Sequence, residues 1–169
     1  MFGNVQDFLL RFEAKFAPFR DVLDVGSYNI NGSVKDILSP ASYVNFTGID
    51  MRPGPGVDLV LNGHELDTLG YECFDLITCC ETLEHDDMFW LTVANMRDAL
   101  KHRGWMLVTV PGISFTKHDF PHDYYRFTEE AVAKMFEGYT DFHLEYYYDH
   151  NDLNKEKPNN SIFAYGRKP

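Results

Sequence analysis

The chain has 169 residues, 44% hydrophobic and 15% aromatic, which suits one domain (residues 1–169) with a sizeable core and excludes a disordered chain. Lys and Arg total 15 against 26 Asp and Glu, and the net charge of −11 disfavours any nonspecific grip on nucleic-acid phosphates. Cys73, Cys79 and Cys80 are an odd, clustered set with neither a disulfide framework nor the paired spacing of a zinc site, so a reducing, cytoplasmic setting is expected.

The segment Val5 to Phe16 has helical apolar spacing and predicts a helix covering a sheet, within an N-terminal stretch of residues 1–19. No apolar run is long enough to span a bilayer, and no membrane partner is expected. Val22 to Val25 reads as a first buried strand, and Ser33 to Leu38 as a short helix that stops before Pro40. Tyr43 to Ile49 is a second strand, Met51 to Gly56 a loop rich in Pro and Gly, and Val57 to Leu61 a third strand. Phe74 to Cys80 makes a fourth. Phe89 to His102 has the periodicity of a helix ending near Gly104, and Trp105 to Val110 is a fifth strand closed by Pro111-Gly112. Thr128 caps a helix that runs to Phe136, with Gly138 at its end. Phe142 to Tyr148 and Ser161 to Gly166 are late strands joined by a polar hairpin loop, His150 to Asn160, expected to be mobile.

Apolar strands alternating with helices predict an α/β fold with a mostly parallel sheet covered on both faces. With no helix between them, the last two strands should pair antiparallel at an edge. The first strand ends at Asp24, Val25 and Gly26, and a second acid, Asp50, lies eighteen residues past Gly32 at the end of the second strand. That spacing places an acid on the ribose of a nucleoside cofactor. A nicotinamide dinucleotide would need small residues around its pyrophosphate, whereas Tyr28 stands where the middle glycine of such a loop belongs. S-adenosylmethionine (SAM) has no phosphate. Asp50 suits its ribose, the turn at Gly26 and Ser27 its methionine part, and Asn62 and His64 the adenine edge, although those two read equally well as plain loop residues.

Asp24 to Ser33 resembles motif I of the class I, seven-stranded SAM-dependent methyltransferases, in the subset with Asp-Val-Asn-Gly at this turn. Gly48 to Asp58, Phe74 to Ile77 with Glu81 to His85, and His118 to Thr128 resemble the family's later blocks in order, across roughly residues 20–166. The resemblance implies a three-layer α-β-α sandwich around a doubly wound, seven-stranded, mostly parallel sheet with an antiparallel edge hairpin. It also implies that Asp24 lies near the methionine amine and that Gly26 gives close backbone approach. By the same carry-over, Asp50 holds the ribose hydroxyls, Met51 meets the adenine face, and Asn62, Gly63 and His64 edge it. Cys80 and Glu81 would lie beside the sulfonium. Asn62 departs from the family's usual Asp, and the short chain has little room for a substrate-binding cap.

Methyl transfer is an in-line displacement from an activated donor, so positioning supplies much of the rate. A hydroxyl acceptor gains from a base. Glu81, Glu84 and His85 are the catalytic candidates. If a helix starts there the three share a face, with His85 as base and a carboxylate orienting it. The segment after the fifth strand offers His118, His122 and Tyr125 for an acceptor pocket. Glu-x-x-Glu-His also resembles the ligand set of some divalent-metal O-methyltransferases, small-RNA 2′-O-methyltransferases among them, with His118, His122 or Asp123 as a further ligand. The preferred reading is helix-capping carboxylates without metal, and the acidic charge argues against RNA. The expected function is thus methyl transfer from SAM to a small or medium-sized acceptor, oxygen slightly before nitrogen. A non-catalytic SAM-binding module and a nicotinamide-dependent oxidoreductase are the alternatives.

Overall fold

The computed structural model describes residues 3–118, 121–149 and 159–169. The His150 to Asn160 loop thus lies outside the described residues, save Asn159 and Asn160, which open the last strand. Helices are α1 (Gly3–Phe16), α2 (Val34–Ile37), α3 (Phe89–Ala99) and α4 (Glu129–Met135). Strands are β1 (Asp21–Val25), β2 (Asn45–Asp50), β3 (Leu59–Val60), β4 (Phe74–Cys80), β5 (Leu100–Pro111), β6 (Thr140–Asp149) and β7 (Asn159–Arg167). Two short 3₁₀ helices meeting at a kink at Glu65 occupy Gly63–Leu69, and a single 3₁₀ turn occupies Leu83–His85.

The seven strands form one sheet in the order β3-β2-β1-β4-β5-β7-β6. All pairs through β5 are parallel, and β7 runs antiparallel to both β5 and β6. The expected hairpin is therefore present, with β7 inserted and β6 at the edge. Alternate residues feed two cores. On one face, Val5, Phe8, Leu9 and Phe12 of α1 meet Val22, Leu76, Trp105, Leu107 and Phe163. On the other, Leu23, Ile49, Ile77, Met106 and Val108 meet Leu66, Met96, Val132 and Met135 from the helical side. Two covered faces explain the unbroken burial of β1 from Val22 to Val25 and of β5 from Gly104 to Pro111.

Three boundaries differ from expectation. The helical periodicity reaches His102, but α3 stops at Ala99 and Leu100 is already extended (ψ 130°). Leu100 is fully buried beside Phe74, and Lys101 Nζ bonds Asp21 (2.8 Å) and Asp75 (3.0 Å), so pairing with β4 takes these residues from the helix. β3 shrinks from Val57–Leu61 to two exposed residues, because Asp58 turns back to bond Gly48 through both its backbone N–H and its side chain, each at 2.8 Å. Residues 81–85 form no α-helix, since Glu81 takes a left-handed backbone (φ 50°) and only one 3₁₀ turn follows.

Phe12 is the aromatic hub of the α1 face, with Phe16, Phe19, Trp105 and Tyr165 around it at centroid distances of 5.0 to 5.8 Å. Phe12→Ala should cost about 3–5 kcal/mol, read as a lowered urea midpoint with α1 losing hydrogen-exchange protection first.

Candidate active site

Strand order reverses at β1, where β2 departs to one side and β4 to the other, and a ligand belongs at the carboxyl ends of strands at such a switch. A cleft of ≈ 570 Å³ opens there. It is lined by the ends of β1, β2 and β4, the start of the Gly63–Leu69 turn, and the segment after β5. Asp24, Gly26, Ser27, Asp50, Met51, Asn62, Gly63, His64, Cys80, Glu81, His85, His118 and His122 all line it, so residues spread over some hundred positions converge on one space.

The β1 exit turn is held by backbone. Gly26 and Ser27 both donate to Ile49 O at 2.9 Å, and Asn29 N donates to Pro55 O at 2.8 Å. Gly26 sits at φ +80°, and a Cβ there would come within 2.2 Å of Thr82 Oγ1. A Cβ on Gly48 would meet Gly56 O at 2.2 Å and Ser27 Oγ at 2.7 Å. The turns after β1 and β2 thus interlock with no room for side chains. Ser27 Oγ is buried without a hydrogen-bond partner among the described residues. The Tyr28 ring fills the place beside Gly54 under the Arg52 guanidinium, which stands 4.8 Å from the ring centroid. α2 is a single turn whose Ser33 cap is taken by Asp36 N.

Asp24 is buried and accepts from Thr78 Oγ1 at 2.7 Å. Burial pushes its carboxyl up to about 7, Thr78 working against this and the Asp50 charge adding to it. Asp50 accepts from Arg52 N at 3.0 Å. Asn62 caps the Gly63–Leu69 turn by accepting from His64 N at 3.0 Å. His64 Nε2 pairs with Asp86 at 2.7 Å, and Asp86 also accepts from Thr92 Oγ1 and from Met88 N. Asn62 and His64 therefore have structural roles and still face the cleft.

At the far wall stands an acid–histidine cluster. Glu84 is fully buried, and neither carboxylate oxygen has a hydrogen-bond partner among the described residues. Its Oε1 lies 3.5 Å from His85 Nε2 and 3.6 Å from His118 Nε2. The two rings meet edge to face at 5.0 Å. His85 Nδ1 donates to His122 O. Glu81 is likewise unpartnered, and burial together with the Glu84 charge pushes it up to about 8. Glu84 pulls His118 upward, against the effect of its burial. Asp123 accepts from His118 N at 2.7 Å and takes the Arg126 fork, with Nη2 at 2.6 Å, which holds its carboxyl down at about 2. Arg126 further donates to the carbonyls of Phe115, Thr116 and Tyr125, fastening the segment that carries His118.

Two expected placements change. Tyr125 does not line the cleft, because its hydroxyl donates to Asp87 O at 2.8 Å and its ring packs on Phe89 and Phe127; Tyr124 lines the cleft in its place. Glu84 lies behind the wall, reaching it through His85 and His118. Residues that sequence reasoning missed include Ile30, Arg52, Thr82, Asp86 and Thr92. For Asp86 the signal would have been pairing with His64, twenty-two residues earlier and invisible to local spacing, and Thr92 follows from Asp86, to which it donates.

A family model described as a methyltransferase domain matches residues 1–154. No curated protein matches the sequence. Among solved structures, the chain is similar to a SAM dependent methyltransferase from Archaeoglobus fulgidus, with TM-score 0.79 and 15% identity over 98% of this chain and 94% of that one. It is similar to the N-methyltransferase NodS from Bradyrhizobium japonicum in complex with S-adenosyl-l-homocysteine (TM-score 0.73, 19% identity, 98% and 86% covered). A third is 1,6-didemethyltoxoflavin-N1-methyltransferase from Burkholderia thailandensis (TM-score 0.70, 17% identity, 98% and 76% covered). At these identities the likeness is one of fold.

Asp24 holds its proton to about pH 7 when folded and to about pH 4 when unfolded. Its contribution to stability is full below the unfolded value and is lost as pH rises through the folded one. Asp24→Asn should remove that fall, stabilising the free protein at pH 8 by up to about 4 kcal/mol, and denaturant titrations from pH 4 to 8 read the change in slope. Arg126→Ala strips the partner from the buried Asp123 carboxylate. It should cost about 3–5 kcal/mol, measured by thermal unfolding, with proteolysis of the 112–127 segment as the local readout.

Proposed function

The chain belongs to the methyltransferase-domain family, and we propose that it moves a methyl group from SAM to a small or medium-sized acceptor, an oxygen before a nitrogen. The observation that carries this reading is the convergence of Asp24, Gly26, Ser27, Asp50, Asn62, His64, Cys80 and Glu81 on one cleft at the strand-order reversal. The cleft has the size of a small-molecule site (roughly 300–1,000 Å³). Its residues fit the cofactor. Ser27 Oγ is buried and unsatisfied among the described residues, and the Gly26 turn, which has no room for a side chain against Thr82, keeps bare backbone in the cleft wall. Asp50 would hold the ribose hydroxyls, Met51 the adenine face, and Asn62, Gly63 and His64 its edge. Asp24 would lie near the methionine amine.

When bound, SAM supplies a methyl already activated on a sulfonium, so the protein's work is to place the acceptor and, for a hydroxyl, to take its proton. His85 is suited to that. Because the His122 carbonyl can only accept, His85 Nδ1 carries the hydrogen and Nε2 keeps its lone pair in the neutral ring. The Glu84 carboxylate at 3.5 Å would stabilise the imidazolium that results. His118, His122 and Tyr124 line the acceptor end. This cluster favours oxygen; two of the similar structures are N-methyltransferases by name, which favours nitrogen. The acidic surface supports a small-molecule acceptor over nucleic acid.

Calorimetric titration should show one SAM site and no NAD binding. Asp50→Ala should weaken SAM at least about tenfold, the loss of one charge-assisted hydrogen bond, while the fold is retained by circular dichroism. NAD binding in place of SAM would sink the reading. An acceptor screen with methyl-labelled SAM should give O-methylated products whose rate of formation falls at least about a hundredfold with His85→Ala; unchanged turnover in that variant would remove His85 from its role.

A further inference from the structure

We propose that the acceptor is a hydroxylated aromatic ring without acidic substituents, a phenol held against Tyr124. The inference rests on the methyltransfer reading and narrows its acceptor to one class.

Three observations carry it. First, the acceptor end presents an open aromatic surface on a fixed support. Tyr124 is 50% exposed and lines the cleft. Its ring stands 5.5 Å from that of His122, another lining residue, at an interplanar angle of 39°. Tyr125 backs it at 6.1 Å, and is itself fixed by its hydroxyl on Asp87 O and by the Phe89 ring at 5.0 Å. Tyr124 N donates to Glu84 O at 2.8 Å, so the ring is carried by backbone tied next to His85. An open ring on such a support is matched by a second ring, which gains from offset or edge-on contact as well as from burial. A cavity of about 150 Å³ holds benzene, so one ring is a modest part of the ≈ 570 Å³ cleft.

Second, the fixed charge at this end has one sign. Glu81 and Asp87 line the cleft, and Glu84 lies behind its wall. Among the described residues that line the cleft, the one Lys or Arg side chain is Arg52. It belongs to the β2 exit, over the Tyr28 ring and 3.7 Å from Asp50. Arg126 is engaged by Asp123 and by three backbone carbonyls. His85 and His118 each place Nε2 near Glu84, so a proton gained by either ring is answered by that carboxylate. A carboxylate or phosphate on the acceptor would meet repulsion and no partner, whereas a neutral or cationic acceptor meets neither penalty.

Third, the base available is an imidazole, His85, whose Nδ1 donates to His122 O and whose Nε2 keeps its lone pair. A phenol releases its proton near pH 10, at about 10. An alkyl hydroxyl holds its proton nearly as water does, at about 15.7. One imidazole therefore assists a phenol far more than an alkyl alcohol. In the transfer, the phenolic oxygen bonds the methyl carbon as the carbon–sulfur bond breaks. The electron pair of that bond stays on sulfur, leaving a neutral thioether, and the phenolic proton passes to His85 Nε2.

The test uses the full chain. SAM is titrated by calorimetry first. Phenol, tyramine, 4-hydroxyphenylacetate and cyclohexanol are then titrated into chain saturated with S-adenosylhomocysteine. The same four, with aniline as the nitrogen counterpart, are assayed with methyl-labelled SAM, and the methylated atom is located by mass spectrometry. Phenol and tyramine should bind and be methylated on oxygen. Each should exceed 4-hydroxyphenylacetate and cyclohexanol in kcat/KM by at least about tenfold. Tyr124→Leu should raise KM for phenol about tenfold and leave kcat within about twofold, and Tyr124→Phe should keep the wild-type KM. Unchanged SAM affinity and circular dichroism show that both variants are folded. Equal turnover of cyclohexanol and phenol, a preference for 4-hydroxyphenylacetate, methylation of aniline in place of phenol, or a phenol KM unmoved in Tyr124→Leu would overturn the assignment. SAM binding with no phenol bound or methylated overturns the phenol and leaves the cofactor reading standing. Absence of SAM binding removes the cofactor reading and the phenol with it.

Discussion

Carboxylates buried at the carboxyl ends of β1 and β4 set the terms for the rest of this molecule. Asp24, Glu81 and Glu84 stand within a few residues of where those strands stop, in surroundings that penalise their charge. Each is answered differently. Asp24 has one hydroxyl, Thr78, and keeps a proton to about neutrality. Glu81 has no bonded partner among the described residues and is raised by its neighbour. Glu84 is faced by two imidazoles. Such unsatisfied groups cost stability. Asp24 and Glu81 line one cleft, and Glu84 lies just behind its wall.

The scaffold tolerates this because the rest of it is heavily over-determined. The α1 face is an aromatic cluster built on Phe8, Phe12, Trp105 and Tyr165, and the opposite face is aliphatic with α3 and α4 over it. Between them the parallel strands end together, and their exit turns close tightly, Gly26 against the Thr82 side chain, Gly48 against Gly56 O and Gly56 against Ser27 O. The left-handed Glu81 at the end of β4 turns the chain sharply, and its N–H is tied to Thr109 O across the strand pair at 2.9 Å. Backbone outside the common regions, next to a cluster of unsatisfied acids, is a pattern of functional sites rather than of simple connections.

The histidine-bearing segment shows the same economy of means. Arg126 alone gathers three backbone carbonyls and a buried carboxylate, so one planar fork orders a stretch with no helix or strand among its described residues. His118 gains its position through Asp123, on the same clasp. The wall of the cleft that carries His118 is thus held by side-chain hydrogen bonds, and the wall at the β1 and β2 exits by backbone hydrogen bonds.

The strands, the helices, the two-sided covering of the sheet and the antiparallel hairpin were all legible in the sequence, because apolar periodicity and turn residues act over a few positions. So were Asp24, Gly26 and Asp50, since each marks the end of a strand, and strand ends in this topology share one side. Tertiary contact decided what local spacing could not. β4 took Leu100 and Lys101 from the end of α3, Asp58 folded β3 back to two residues, and Tyr125 yielded its expected place to Tyr124 because its hydroxyl found Asp87. A resemblance groups Glu84 with His118, His122 or Asp123, and only the fold decided that His118 is the one that stands 3.6 Å from it. The sequence by itself determined the strands, their order of burial and the side of the sheet on which the cleft opens, through apolar periodicity and chain direction. Only the folded structure decided which acids are left unpaired and which rings face them, because that depends on distances between segments that are remote in sequence.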